Sequence, residues 1–172
     1  DTQTPQGVLC LVKQYHYSLE QLLEKENPLF LVLENLQDPG NLGTILRTAD
    51  ALDVPVVLLE GCADPYSHKV VRSSMGAVLR VQPMQASWQE VREVCAAAGI
   101  LIGVTALSDR AKDLRRSDLT SMAVVIGSEG RGVRREILEA ADAELIIPMN
   151  PHCESLNAAV AATIVMWEMT ER

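Results

Sequence analysis

Aromatic residues are scarce in this sequence: one Phe, two Trp and three Tyr among 172 residues. With 48% hydrophobic residues a sizeable core is nevertheless available, and disorder is not expected. That core is aliphatic, filled by Val, Ile, Leu and Ala, as in a buried parallel sheet flanked by helices. Cysteines are few and scattered, at Cys10, Cys62, Cys95 and Cys153. No C-x-x-C pair exists, which argues against a zinc framework or a dense disulfide scaffold and leaves cytoplasmic thiols as the plain reading. No apolar run is long enough to cross a bilayer, and no basic-then-apolar leader stands at Asp1. Internal repeats and low-complexity stretches are missing too. Positive charge is in deficit: the net charge is -8, which taken alone counts against a nucleic-acid partner.

What positive charge there is comes mostly as arginine, whose planar fork suits phosphate. It bunches at Arg110/Arg115/Arg116 and Arg131/Arg134/Arg135. Composition alone favours solvated helix ends for both groups.

The length suits one α/β domain. Residues 1–28 read as a linker-like lead-in: DTQTPQ is polar, GVLCLVK (7–13) reads as a short strand, and SLEQLLEK (18–25) as a helix capped by Ser18. From residue 29 onward strands and helices alternate. Strands are predicted at 29–35, 54–60, near 79–83, 100–107, 122–127 and 144–149. Helices are predicted at 40–52, around 67–74, at 88–99 with Gly99 closing it, at 134–141, and at 155–169. Between 107 and 122 lies a polar, Arg-rich connection. This alternation implies a mostly parallel sheet with helices on both faces. Ligands of such sheets bind at the carboxyl ends of strands.

Three segments stand at such ends. In NLQDPGNLGTILRTADA (35–51), Pro39, Gly40 and Gly43 form a turn that opens backbone N–H groups at a helix N-terminus, where an anion could sit. Arg47 follows on a helix rich in Leu42, Ile45, Leu46 and Ala49. Spacing leaves two readings of it, a site residue or a side chain that merely snorkels. In VVIGSEGRGV (124–133), three glycines and Glu129 follow an apolar strand, so backbone can approach a ligand closely. The segment is neither G-x-G-x-x-G nor a Walker sequence, and Glu129 could equally cap the helix that follows. In IIPMNPHCESLNAAVAA (146–162), Ser155 as N-cap accounts for one polar residue at the helix entry. Asn157, a poor helix former, is left unexplained.

Together and in this order, the three segments resemble the signature motifs of the SpoU/TrmH family of RNA 2′-O-methyltransferases, the knotted SPOUT superfamily, over roughly residues 29–170. Asn35 and Arg47 match the first motif; Gly127, Glu129 and Gly132 the second; Pro148, Ser155, Leu156 and Asn157 the third. VVRSSMGAVLRV (70–81) looks like the family's stretch between the first and second motifs. Ser128 departs from the Asn of many members, and Pro151 from a common Gly.

The resemblance implies a C-terminal trefoil knot within a catalytic domain spanning 29–172, S-adenosylmethionine as cofactor, an RNA substrate, and a homodimer whose active site borrows from both subunits. It implies a catalytic set of Arg47, Asn35, Glu129, Ser155 and Asn157. For the cofactor it points to three loops, 105–108, 127–132 and 147–157, with Thr105, Leu107, Gly127, Ser128, Glu129, Gly132, Ile147, Met149, Ser155, Leu156 and Asn157. Asn41, Arg47 and Arg72 are assigned to RNA. Since the sulfonium brings its own electrophile, no metal is expected to take part, and the lack of a long apolar run leaves no membrane expected either.

Relatives that open with a TPQG-like linker (here Thr4, Pro5, Gln6, Gly7) usually carry an RNA-recognition domain before it, so such a domain is read as missing here. Ribosomal RNA is favoured over transfer RNA from that start alone. A knotted homologue that grips RNA without methylating it is the main rival. A nicotinamide oxidoreductase lacks its glycine turn after the first strand, and base N-methylation sits poorly with Ser155-Leu156-Asn157. None of His16, His68 and His152 is assigned to catalysis. The long last helix reads as apolar nearly all round, with Met166, Trp167 and Met169 as anchors of a dimer interface.

Overall fold

Short runs of aliphatic and β-branched residues, each closed by a polar turn, become the strands of a single sheet. The computed structural model describes residues 7–8, 10–24, 28–128, 130–150, 152–153 and 155–170. In it, β1 (Phe30–Leu33), β2 (Val56–Leu58), β3 (Met84–Gln85), β4 (Leu101–Thr105), β5 (Lys112–Asp113), β6 (Met122–Ile126) and β7 (Ala143–Ile146) lie in the order β3-β2-β1-β6-β4-β7-β5. Every pairing between these strands is parallel. The helices are α1 (Pro39–Leu52), α2 (His68–Ser73), α3 (Val78–Val81), α4 (Trp88–Ala98), α5 (Arg135–Ala140) and α6 (Ala158–Thr170). Among the described residues, no helix is long and apolar enough to cross a membrane.

The period-two alternation of strand side chains sorts the core into two layers. Leu31, Leu33, Val56, Leu58, Val124 and Ile126 join the buried faces of α1 and α6 on one side of the sheet. Phe30, Val32, Val57, Val104, Ala123 and Val125 join α4 and α5 on the other. Both faces are therefore covered, as a parallel sheet requires. On the α4 side burial pushes the Cys95 thiol up to about 11, with the nearby Asp142 carboxylate adding to the effect, so Cys95 acts as a small apolar filler.

Strand order departs from chain order in two places. β6 enters between β1 and β4, and β7 enters between β4 and β5, in each case between strands that precede it in the chain. The ladders also fix where the strands stop. Leu33 is level with Ile126 and with Leu58, Thr105 with Leu145, and Asp113 with Ile146. Because all strands run the same way, the loops after β1, β4, β6 and β7 open on one edge of the sheet.

Several sequence expectations are corrected. Among the described residues of 7–13 there is no strand; Val8, Leu11 and Val12 lie exposed without regular structure. Leu19–Glu24 form a 3-10 helix rather than an α-helix, and residues 1–6 and Lys25 lie outside the described residues. The apolar VLRV near 79–83 is the short helix α3, with Val78 facing the core and Leu79 turned out. Gln82 leaves it with φ 56, and the strand follows as β3. The polar connection after β4 contains the edge strand β5 and a 3-10 turn, Leu114–Arg116.

Candidate functional site

Asp38 closes the N-terminus of α1 by accepting the Asn41 backbone N–H at 2.7 Å, and Pro39 supplies the first turn without a donor. The helix end expected to await an anion is thus already capped by the protein's own carboxylate. Gly43 is not there for backbone access either. A Cβ at that position would stand 1.9 Å from the Ser73 hydroxyl of α2, and that hydroxyl donates to the Pro39 carbonyl at 2.9 Å. The glycine lets α2 lie tightly against α1, which brings Arg72, exposed on α2, to this end of the molecule.

Helical geometry divides α1 into faces. Leu42, Ile45, Leu46 and Ala49 are buried, whereas Gly40, Thr44, Arg47 and Ala51 form one exposed stripe. On one flank the Thr48 hydroxyl lies 3.4 Å from that of Thr163 on α6. On the other, Asp50 holds Arg80, and that guanidinium keeps the Asp50 carboxyl below its usual range. Arg47 makes no hydrogen bond or ion pair with any described residue and stands on the stripe with only small neighbours. The snorkelling alternative fails on this geometry, because Arg47 points away from the apolar face.

Asn157, not Ser155, caps α6. Its Oδ1 accepts from the backbone N–H of Ala159 at 2.9 Å and of Val160 at 3.3 Å, while its Nδ2 donates to Oδ1 of Asn41 at 3.1 Å. The third segment is thereby joined to the first through two amides, on the side where α1 begins. Ser155 is exposed and its carbonyl accepts from the Cys153 thiol. Asn157→Ala is expected to lower stability by about 1 kcal/mol through loss of the cap, whereas Ser155→Ala should leave it within a few tenths. Chemical denaturation of both variants distinguishes the two caps.

The residue matched in the first segment as Asn35 is placed elsewhere. It sits at φ 52, its Oδ1 accepts from Gln37 at 3.3 Å, and Gly61 packs directly against it. The structure therefore brings Asn41, rather than Asn35, together with Asn157. The sequence offers a signal for this in retrospect: Asn41 lies on the same helix as Arg47, and Asn35 does not.

The second segment doubles back on itself. The Gly132 N–H donates to the Ser128 carbonyl at 2.9 Å, and Arg131 N–H to the Ser128 hydroxyl at 3.3 Å. Gly127 makes this possible, because a Cβ there would fall 2.2 Å from the Gly132 carbonyl group; Gly132 itself adopts φ 66. Glu129 lies outside the described residues, as does Pro151. Beside this loop, Thr105 donates to the Val125 carbonyl at 3.3 Å and the apolar Leu107 is 71% exposed. Ile147, Met149 and Leu156 are half-buried.

Two acids missed in the sequence hold these loops. Glu34, buried at 1% exposure, binds both the backbone N–H (2.9 Å) and the guanidinium of Arg134. Glu144 on β7 takes Arg110 and the Ser108 hydroxyl from the loop after β4. Arg115 and Arg135 pair with Asp113 and Glu139, so most of the clustered arginines serve the domain's own surface. Of the expected dimer anchors, Met166 and Met169 are buried in the domain itself; Trp167, at 52% exposure, points out with Val160. The helix period explains it, since 158, 162, 165, 166 and 169 share the core face.

Comparison with known proteins places this geometry. The model of the SpoU rRNA Methylase family matches residues 28–167. The 23S rRNA (guanosine(2553)-2'-O)-methyltransferase RlmP of Bacillus subtilis (strain 168) is 34% identical over 98% of this chain, and the chain spans 66% of its length. An uncharacterized tRNA/rRNA methyltransferase of Synechocystis is 37% identical over 97% of the chain, which spans 61% of it. Among solved structures, an AdoMet-bound rRNA methyltransferase from Sinorhizobium meliloti aligns with TM-score 0.84 and 31% identity, covering 91% of this chain and 61% of that one. The SpoU methyltransferase AviRb of Streptomyces viridochromogenes in complex with AdoMet aligns at 0.82 with 29% identity, covering 92% and 65%. The chain thus spans less than two thirds of several of these relatives, yet the match covers nearly all of its own length. This chain belongs to the SpoU rRNA methylase family.

Proposed function

We propose that this chain is the catalytic domain of an S-adenosylmethionine-dependent RNA 2′-O-methyltransferase acting on ribosomal RNA. The observation that carries the reading is the bond between Asn157 and Asn41, which ties the entry of α6 to the helix bearing Arg47, exposed and without a partner among the described residues. The names of the relatives support the reaction, and two of them, from Bacillus subtilis and Sinorhizobium meliloti, support ribosomal RNA.

The residues present fit the cofactor. The 127–132 turn is too tight for any side chain at Gly127, and the exposed Gly130, whose Cβ would meet nothing within 4 Å, leaves room for a ligand beside Ser128. Leu107, Ile147, Met149 and Leu156 supply apolar surface at neighbouring strand ends, with Thr105 at the base. Bound there, S-adenosylmethionine supplies an electrophilic methyl group on its sulfonium and requires no metal.

The protein's task is then positioning and charge. Arg47 grips a substrate phosphate with its fork and faces the 2′-oxygen as negative charge develops. A guanidinium has N–H donors and no acceptor, so we assign Arg47 this electrostatic role rather than that of a base. The 2′-hydroxyl proton passes to solvent water as the oxygen–methyl bond forms and the methyl–sulfur bond breaks. Asn41 and Asn157 hold the first and third segments in register; Ser155 and Glu129 remain assigned to the same site, as does Arg72 to RNA, while Asn35 shapes the turn after β1.

The entry of β7 between β4 and β5 supports a C-terminal knot. The stripe Gly40, Thr44, Arg47 and Ala51, flanked by Val160 and Trp167 on α6, supports a homodimer through this face, since small residues allow close helix approach and Trp is a favoured anchor. A dimer here would bring a second subunit's loops to Arg47. We place the protein in the cytoplasm.

Incubation with methyl-labelled S-adenosylmethionine and either ribosomal or transfer RNA transcripts tests the reading. Nucleoside mass spectrometry should show one 2′-O-methyl nucleoside in the ribosomal RNA. RNA binding with neither cofactor uptake nor methylation would favour the non-catalytic rival.

A further inference from the structure

We propose that Glu34 is a positioning residue that sets the 127–134 loop for cofactor binding; the inference rests on the assignment of that loop to S-adenosylmethionine. A lone buried carboxylate is costly unless it is paired and hydrogen-bonded, and the sequence places one here at the buried position directly after β1. Its side chain is 1% exposed and takes both the backbone N–H and the guanidinium of Arg134. Its own N–H donates to the Ile126 carbonyl at 2.9 Å.

Glu34 is thus bonded to the residue where β6 ends and to the residue from which α5 begins. Those two residues bound the loop, and the close approach of Gly127 to Gly132 lies directly between them. The Arg134 carbonyl accepts from Ile137 and Leu138 within α5, and α5 has no side-chain cap. Among the described residues, Glu34 is therefore what joins the Arg134 N–H and guanidinium to the end of β1. Without Glu34, the returning arm of the loop would keep the Ser128–Gly132 turn and the buried Val133 but lose its polar anchor to the end of β1. The same acid precedes Asn35, so the turn after β1 and the loop after β6 are set by one group.

The test uses the full chain, with S-adenosylmethionine titrated calorimetrically and steady-state rates measured on its RNA substrate. Glu34→Gln keeps an acceptor for the Arg134 amide but removes the charge; Arg134→Gln removes the guanidinium from a half-exposed position. Each is expected to weaken cofactor affinity about tenfold, the scale of one lost charge-assisted hydrogen bond. KM for the cofactor should rise in step, with kcat at saturation within about twofold. The double variant should be no worse than the more severe single one. Amide exchange should accelerate at 127–134 and not across the sheet. Arg135→Gln, which breaks only the exposed pair with Glu139, should match wild type.

Wild-type affinity and exchange in both variants would overturn the proposal, as would parallel loss of kcat, affinity and melting temperature, the mark of a purely structural pair. If Glu34→Gln does not fold, Arg134→Gln carries the test. If the wild-type chain itself takes up no cofactor, the functional reading fails, and unchanged exchange at 127–134 would then remove the clamp as well.

Discussion

Arg47→Ala is expected to abolish methyl transfer while leaving cofactor affinity and melting temperature near wild type. The separation follows from where the side chain stands. Arg47 is exposed on α1, bonded to no described residue, so its removal costs the fold no more than an ordinary surface substitution, within about 0.5 kcal/mol. It also lies on the first segment, whereas the proposed cofactor loops follow β4, β6 and β7. Loss of one preorganised charge facing a developing alkoxide costs roughly 10²–10³ in rate, by comparison with oxyanion donors. Arg47→Lys keeps the charge but not the fork and should be severely impaired as well. Turnover, cofactor affinity and thermal unfolding measured together on both variants decide the matter. Near-wild-type turnover in Arg47→Ala would take the arginine out of the mechanism.

The parallel sheet and its two helical layers were legible because the information is local and repeated. Runs such as FLVL and MAVVI admit few other structures, and Gly99 marks the end of α4 unambiguously. What escaped the sequence was decided by tertiary contact. VLRV has four residues and no period long enough to separate strand from helix; the packing of Val78 and the left-handed Gln82 made it a helix. Lys112–Asp113 is polar because it lies at the edge of the sheet, so no apolar run announced β5. The order of insertion, with β6 inside β1 and β4, leaves no trace in composition at all. At the site, Ser155 and Asn157 are equally good caps on paper, and only the path of the chain selects Asn157. Likewise two asparagines six residues apart, Asn35 and Asn41, were separable only once α1 carried one of them to α6. Glu34 was hidden at the end of an apolar run, where an acid reads as the close of a strand rather than as a buried partner for an arginine 100 residues away.

That loop also yields the second large effect, Gly127→Ala, which should cost nearly all cofactor affinity. The added Cβ would sit 2.2 Å from both the carbonyl carbon and oxygen of Gly132 and 2.4 Å from the Val133 nitrogen. All three are backbone atoms, so no side chain can swing aside; the loop itself has to open. Overpacking of this kind costs about 1–3 kcal/mol in stability, and here the strain falls on the segment proposed to hold the ligand. A displacement of even about 1 Å in a positioning element can cost on the order of a hundredfold. Cofactor affinity in Gly127→Ala is therefore expected to fall by about that factor, with a modest drop in melting temperature. Gly130→Ala is the internal comparison, since a Cβ there meets nothing within 4 Å, and it should bind within a few-fold of wild type. Calorimetric titration of both variants reads the difference directly. Tight binding by Gly127→Ala would mean that the doubled-back turn does not hold the ligand, and the 105–108 and 147–157 loops would have to hold the cofactor without it.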